Sequence, residues 1–334
     1  MHIDGSEEGK RYDRYSVNHH SVADFRVDQG ELLDSFLTQS VAALTAEDLV
    51  SLNRVAQDGV RVRASAGAAS FRRKKSLQDC LEEAEKQVES LRKELEEDPG
   101  SQSRRQQAAR ERAAKERKQR INKALAHLSD IESRKKAKDK DKTRTSTTDP
   151  EARVMKMADG GFRPAYNGQF AVDTETQVIV GVDVSNSGSD MDKMSPMVDQ
   201  LLERYGTKPN DMLVDGGFAK HEAIEQVGAG DDGCTVYAPV PKPKDDDRDP
   251  HVPLADDSEV IAAWRVRMGT QEAKEIYKER AATVECVNAI ARNRGLQRFL
   301  VRGMHKVRTV LLWFALAHNM MRSASLRLAA AQTT

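Results

Sequence analysis

Six apolar residues, Leu77, Leu81, Ala84, Val88, Leu91 and Leu95, follow one another at spacings that alternate between four and three. This is the pattern of a helix that buries a narrow seam against a partner helix. Ser76, with Asp79 three residues on, reads as a capping box at its start. Asp98-Pro99-Gly100 stops it. A second helix is expected over roughly 101–135, with Ile121, Ala124, Leu125, Leu128 and Ile131 as its apolar stripe. A short breaker between two such helices favours an antiparallel pair. Between Arg104 and Arg144 basic residues outnumber acidic ones by roughly ten, so the second helix and its tail form a positive arm. Such an arm attracts phosphate backbones without reading sequence; the plainer reading is a solvated helix face. The basic tail Arg134 to Arg144 and the run Thr145-Ser-Thr-Thr read as a solvated linker.

The chain around this hairpin has 334 residues, enough for one large domain with an insertion or for two modest domains. Its formal net charge is zero, so only the local distribution, not the total, argues for nucleic acid. Cys80, Cys234 and Cys286 stand far apart, with no spacing for a zinc site or a disulfide framework, which points to a reducing, cytoplasmic compartment. The opening MHIDGSEEGKRYDRY lacks the apolar core of a signal peptide. The longest apolar run, Val310 to Ala317, is too short to span a bilayer, so no membrane partner is expected.

The first fifty residues read as short helices at Ser21-Val-Ala-Asp-Phe and Gly30 to Leu37, with Thr45-Ala-Glu-Asp as another helix start. From Leu52 to Ala64 the period changes. Val60 and Val62 alternate with Arg61 and Arg63, as in a strand entering and leaving a turn at Asp58-Gly59. Beyond Asp149, Ala165–Val172 and Val178–Val184 read as a hairpin of strands, Met191–Tyr205 as a helix ended by Gly206, and Asp211–Asp215 as a short buried strand. Lys220–Val227 is a helix, Cys234–Val240 a strand, and PKPKDDDRDPHVP a loop. Glu259–Arg292 is mostly helical with Gly269 as interruption and Gly295 as stop, and Lys306–Arg327 is a final helix.

With the hairpin removed, the order is strand, strand, strand, helix, strand, helix, strand, helix. The expected fold class is therefore α/β: a ribonuclease H-like mixed sheet flanked by helices, with a helical coiled-coil hairpin inserted after the first strand. The expected divisions are an N-terminal helical segment at 1–50, the first catalytic strand at 51–66, the hairpin and basic linker at 67–148, the rest of the catalytic domain at 149–325, and a tail at 326–334.

Two-metal phosphodiester cleavage needs oxygen ligands that bridge two hard cations roughly 4 Å apart. In this layout the suitable positions are the first strand, the end of the fourth strand and the last long helix. Asp58, Asp215 and Glu285 occupy them and are the candidate catalytic residues and metal ligands. Each also has an ordinary reading: a turn aspartate, a strand-end cap, a surface acid. On a helix turning about 100° per residue, Tyr277, Arg280, Glu285, Asn288 and Arg292 fall within an arc of roughly 140°. Arginine forks suit DNA phosphates, and tyrosine stacks or donates a hydrogen bond, so Tyr277, Arg280 and Arg292 are candidate DNA-binding residues.

These segments resemble those of the DDE transposases of bacterial insertion sequences, within the retroviral-integrase superfamily. The resemblance runs from about Ser16 to Arg322. VAQDGVRVRASAGAASFRR is similar to the family's first-aspartate segment and gives that role to Asp58; DMLVDGGF gives the second to Asp215. DPEARVMK followed by AYNGQFAVD resembles the return into the sheet after the insertion. YKERAATVECVNAIARNRG resembles the Tyr-Arg-Glu-Lys signature, with Tyr277, Arg280 and Glu285 in their places and Arg292 where lysine is commoner. Four residues rather than the usual three separate Arg280 from Glu285, a spacing shared with related subgroups. The resemblance implies two Mg²⁺ ions, with Mn²⁺ as a substitute. It also implies double-stranded DNA partners, both the element's terminal inverted repeats and target DNA, and a homo-oligomer on DNA. Family members carry an N-terminal helical region for DNA recognition that MHIDGSEEGKRYDRY does not resemble, which implies an N-terminally truncated copy.

Asp173 and Asp183 also end strand-like runs and compete with Asp58, but both sit beside turns where aspartate is ordinary. His19-His20, His221 and His305 have no partner spacing for a metal, Gly216-Gly217 lacks the residues of a phosphate loop, and Trp264 and Trp313 read as core. An active transposase is the leading reading. An inert, shortened transposase that binds DNA or oligomerises is the alternative, and a host nuclease on the same fold is a third.

Overall fold

The computed structural model describes residues 19–97, 103–133, 135–230, 232–243 and 248–333. Chain order gives α1 (His19–Asp28), α2 (Gly30–Ala46), β1 (Arg54–Arg63), a two-residue β2 (Phe71–Arg72), and the long helices α3 (Lys74–Glu97) and α4 (Arg104–Ser133). One helical turn, α5 (Ala137–Lys140), β3 (Thr145–Ser146) and β4 (Arg153–Lys156) lead into β5 (Phe162–Asp173) and β6 (Ile179–Ser185). Then come α6 (Met194–Tyr205), β7 (Asp211–Leu213), α7 (His221–Gly228), β8 (Thr235–Tyr237), α8 (Glu259–Gly269) and α9 (Gln271–Arg280). A five-residue π turn (Ala281–Glu285) joins α9 to α10 (Cys286–Asn293), and α11 (Met304–Thr333) follows.

The sheet is built on β5. One edge of it pairs antiparallel with β1; its other edge is shared by β4, from Arg153↔Ala165 to Lys156↔Phe162, and β6, from Asn167↔Ser185 to Val172↔Ile179. β1 pairs in parallel with β7, and β7 with β8. The result is a mixed sheet, antiparallel at one end and parallel at the other, and its order is consistent with the layout read from the sequence. A central place in the sheet, with helices over both faces, explains why β5 is buried continuously from Ala165 to Asp173 rather than in alternation.

Helices cover both faces. On the face carrying Ala56, Asp58 and Val60, Leu311 of α11 lies against Gly168, and Phe314 packs on Phe170 with ring centroids 5.6 Å apart. On the other face Met197 of α6 packs over Gly181, and Gln57 donates to the Lys193 carbonyl. Trp264 is fully buried and donates to the Ala238 carbonyl, while Trp313 donates to the Arg26 carbonyl. Gly206 ends α6 at φ 72°, a left-handed position that glycine takes without strain. Among the described residues no helix is long and apolar enough to cross a membrane.

Several expectations are corrected. β1 runs unbroken through Asp58-Gly59, where a turn was expected; Gly59 is a close-approach glycine within a strand. Thr45 ends α2 rather than starting a helix, because Leu44 is still part of its buried stripe. Ser76 lies inside α3, which begins at Lys74, so it is no cap. The run Thr145–Thr148 is not a solvated linker. Thr145, Ser146 and the following Asp149 are buried, the Ser146 hydroxyl accepts from the amides of Thr148 and Asp149, and Asp149 Oδ1 accepts from the Tyr166 hydroxyl.

α3 and α4 run antiparallel, as the pairs Glu94–Arg110 and Glu83–Arg117 require. Their packing is graded: Leu77, Ala84, Ile121, Ala124 and Leu128 are buried, Leu81, Val88 and Leu91 only partly, and Leu95 is exposed. The seam closes at the base and opens toward the tip. The stop read at Asp98-Pro99-Gly100 lies outside the described residues, as do the N-terminal residues 1–18.

α11 also clamps the β5–β6 turn. His318, 2% exposed, has Nε2 2.8 Å from the Gln177 carbonyl, and Asn319 bonds both backbone groups of Ile179. Burial pushes the His318 pKa down; the Gln177 carbonyl resists this, while Arg294 and Arg322 add to it. The unfolded chain therefore takes the proton more readily than the folded one. This contribution to stability is complete above the ordinary imidazole value of about 6.5 and is lost as pH falls through the lowered value. Urea unfolding at pH 7.5 and 5.5 is expected to show lower stability at the acidic pH, with a smaller drop in His318→Gln. An equal drop in both would sink the assignment.

Candidate active site

The parallel register of β1 and β7 sets the first two acids side by side. Ala56 lies opposite Leu213, and two further residues along each strand bring Asp58 level with Asp215. Neighbouring strands stand about 4.8 Å apart, so the two carboxyl groups meet at the edge where β7 ends. Asp58 is held in mid-strand with its side chain 18% exposed; Asp215, just past β7, is more open and accepts from the Gly217 amide at 2.7 Å.

The third acid arrives on the helix, by a route that regular α geometry does not provide. In an α-helix residues five apart stand about 140° from each other. Between α9 and α10 the chain instead makes the π turn Ala281–Glu285, whose wider winding brings residues five apart onto one side. Arg280 and Glu285 are thereby in contact, Nη1 to Oε1 at 2.6 Å. The other amino group of the same guanidinium, Nη2, lies 3.1 Å from Asp58 Oδ1 and 3.9 Å from Asp215 Oδ2. Those two distances bound the separation of the aspartate oxygens at about 7 Å. One turn on, Asn288 is 1% exposed and donates to Asp58 Oδ2 at 2.9 Å.

The electrostatics follow from this geometry. Burial raises the Asp58 pKa, the Arg280 charge opposes that, and Asp215 adds to it as a like charge. Burial works against the Arg280 charge most strongly, yet Asp58, Tyr277, Asp215 and Glu285 together hold its pKa above the ordinary value. Tyr277 is pushed up by its own burial, opposed by Arg280.

The structure therefore brings Asp58, Asp215, Glu285, Arg280, Tyr277 and Asn288 together. Arg280 turns inward, 8% exposed, instead of pointing to solvent as a surface fork. Arg292 lines an open cleft of about 460 Å³ together with Asp58, Asp215, Arg61, Arg63 and Arg163. Asp173 is buried in the β5–β6 turn, bonding Thr176, and Asp183 lines a separate groove beside α2 and α6. Neither competitor reaches the cleft.

Sequence reasoning missed Asp190, which lines the same cleft. Its Oδ1 accepts from the buried amides of Asn167 at 2.6 Å and Gln169 at 2.7 Å, and its Oδ2 stands 3.9 Å from Arg61. These groups crowd Gly59: a Cβ there would lie 2.7 Å from both Asn167 Oδ1 and Asp190 Oδ1 and 2.8 Å from Gln169 Nε2. The glycine within an alternating strand was the available signal.

Three carboxylates around one positive group form an oxygen-only donor set that suits hard divalent cations. The raised Asp58 pKa marks a place where positive charge relieves both burial and repulsion. As placed, the three surround Arg280, and among the described residues no three His, Cys, Asp or Glu side chains stand close enough to hold an ion.

A family model described as a transposase DDE domain matches residues 132–320, more than half of the chain, taking in Asp215 and Glu285 but not Asp58. No curated protein and no solved structure matched the chain. For the crowded strand position, Gly59→Ala is expected to lower stability by about 1–3 kcal/mol, and Gly67→Ala, where a Cβ meets open space, by less than about 0.5 kcal/mol. Equal melting of the two variants in a thermal scan would contradict the close approach.

Proposed function

The chain belongs to the family of transposases with a DDE domain, and on that premise we propose that it cuts DNA at the ends of an insertion-sequence-like element and joins those ends to target DNA. The family implies DNA substrates and divalent-metal chemistry. The observation that carries the finer reading is the contact of one guanidinium, Arg280, with carboxylates delivered by three separate elements. Acids that repel one another are seldom gathered in a half-buried cleft without a chemical use for them.

In this reading the domain is ribonuclease H-like, and Asp58, Asp215 and Glu285 hold two Mg²⁺ ions, with Mn²⁺ as a substitute. When bound, the ions lower the pKa of an attacking water or 3′-hydroxyl and stabilise the leaving oxygen. The chain's own residues do the rest. Asn288 fixes the Asp58 carboxylate through Oδ2, while its other oxygen meets Arg280. Arg280 offsets the carboxylate charges from a buried position and orients Glu285. Arg63, Arg163 and Arg292, around the same cleft, contact the DNA backbone, where arginine suits phosphate geometry. Tyr277, half-buried beside Arg280, stacks on or hydrogen-bonds the scissile region. The positive α4 arm extends backbone contact, and two or more copies assemble on paired element ends.

Nicking of supercoiled plasmid in Mg²⁺ or Mn²⁺ tests this. Asp58→Asn, Asp215→Asn and Glu285→Gln are each expected to lower cleavage by about a hundredfold or more while DNA retention on a gel persists. Cleavage by the Asp215→Asn protein at the wild-type rate would remove the catalytic reading.

A further inference from the structure

The π turn leaves backbone carbonyls without partners in the helix ladder, because an extra residue breaks the regular succession of bonds. Carbonyls freed in this way take partners from solvent or from side chains. Two side chains reach carbonyls of this stretch. The Gln177 amide donates to the Ala282 carbonyl at 2.8 Å, and the Thr283 hydroxyl donates to the carbonyls of Glu279 at 2.8 Å and Arg280 at 3.2 Å. Thr283 is part of the turn; Gln177 lies across a gap of 105 residues, in the β5–β6 hairpin.

Gln177 is itself held in an unusual way. Its φ is +59°, a conformation that non-glycine side chains rarely adopt. His318 bonds its carbonyl, Arg322 bonds the Thr176 carbonyl, and Asn319 bonds both backbone groups of Ile179. Three residues of α11 thus fix a strained hairpin residue so that its amide meets the turn carrying Glu285. Strain of this kind persists where surrounding contacts over-determine it.

We propose that Gln177 is a positioning residue for Glu285: its amide holds the Ala281–Glu285 segment in the π form, which keeps Arg280 and Glu285 on one side of the helix. The inference rests on the proposed role of Glu285 and concerns what maintains its geometry. If the turn relaxed to α-helix with all its residues kept, Glu285 would swing about 140° from Arg280. Deleting Ala282 removes the extra residue, makes the two residues neighbours four apart on an ordinary α-helix, and removes the need for Gln177.

The test combines Gln177→Glu, which keeps length but cannot donate from its carboxylate, with deletion of Ala282, singly and together. Hydrogen exchange at residues 283–287 and Mn²⁺-dependent nicking of supercoiled plasmid are both read. Gln177→Glu is expected to speed exchange in that segment and to lower the nicking rate about tenfold or more, with plasmid affinity within about twofold. Deleting Ala282 in the Gln177→Glu background is expected to restore slow exchange and most of the nicking. Should Gln177→Glu fail to fold, Gln177→Gly, which takes the left-handed backbone without strain, replaces it in the same comparison. Unchanged exchange in the single variant, or no rescue by the deletion, overturns the proposal. A wild-type protein that nicks no DNA, with exchange still responding to Gln177 and Ala282 as described, would end the proposed activity and leave this lock standing.

Discussion

One buried guanidinium among three carboxylates is the interaction on which the site depends. At an effective dielectric of about 20, unit charges about 4 Å apart interact by about 4 kcal/mol, attractive or repulsive. Arg280 lies 2.6 Å from Glu285, 3.1 Å from Asp58 and 3.9 Å from Asp215, so its charge offsets part of the repulsion among the three acids. The repulsion does not vanish, as the raised pKa of Asp58 shows with burial as its larger cause. A group of acids in this state has a standing demand for positive charge, which is the physical requirement for recruiting divalent cations to a protein surface.

Three backbone devices deliver the acids, and each is exacting. The β1–β7 register sets Asp58 level with Asp215, and a slip of one residue would turn Asp58 to the opposite face. The glycine after Asp58 lets Asp190, Asn167 and Gln169 close on the strand from its other face, stiffening the stretch that carries the first acid. The π turn brings Glu285 beside Arg280. α11 links these devices, since it packs on β5 and β6 and anchors the hairpin that bonds the π turn.

Much of this arrangement was legible in the sequence, and the pattern of misses is physical. The alternation of Val60 and Val62, the apolar run ending at Asp215 and the helical spacing of 259–292 identified the elements, because burial imposes a period on each. The distance in sequence between Asp58, Asp215 and Glu285 did not hide them, since the order of strands and the last long helix, together with the motif resemblance, points to their positions. What the pattern did not give was anything set by close approach. Gly59 read as a turn because glycine has the same letter in a turn and in a crowded strand. Asp190 lies in a loop, where no period marks it. The π turn left a trace as one extra residue between Arg280 and Glu285, yet that spacing does not say how the helix absorbs it. Thr145 and Ser146 read as linker because composition records polarity and not burial.

The most direct measurement is a crystal structure of the protein soaked in MnCl₂, with anomalous scattering used to locate manganese. The account predicts manganese bound by carboxylate oxygens of Asp58, Asp215 and Glu285. Manganese bound only elsewhere at saturating concentration, with Arg280 still closed on all three acids, would contradict it.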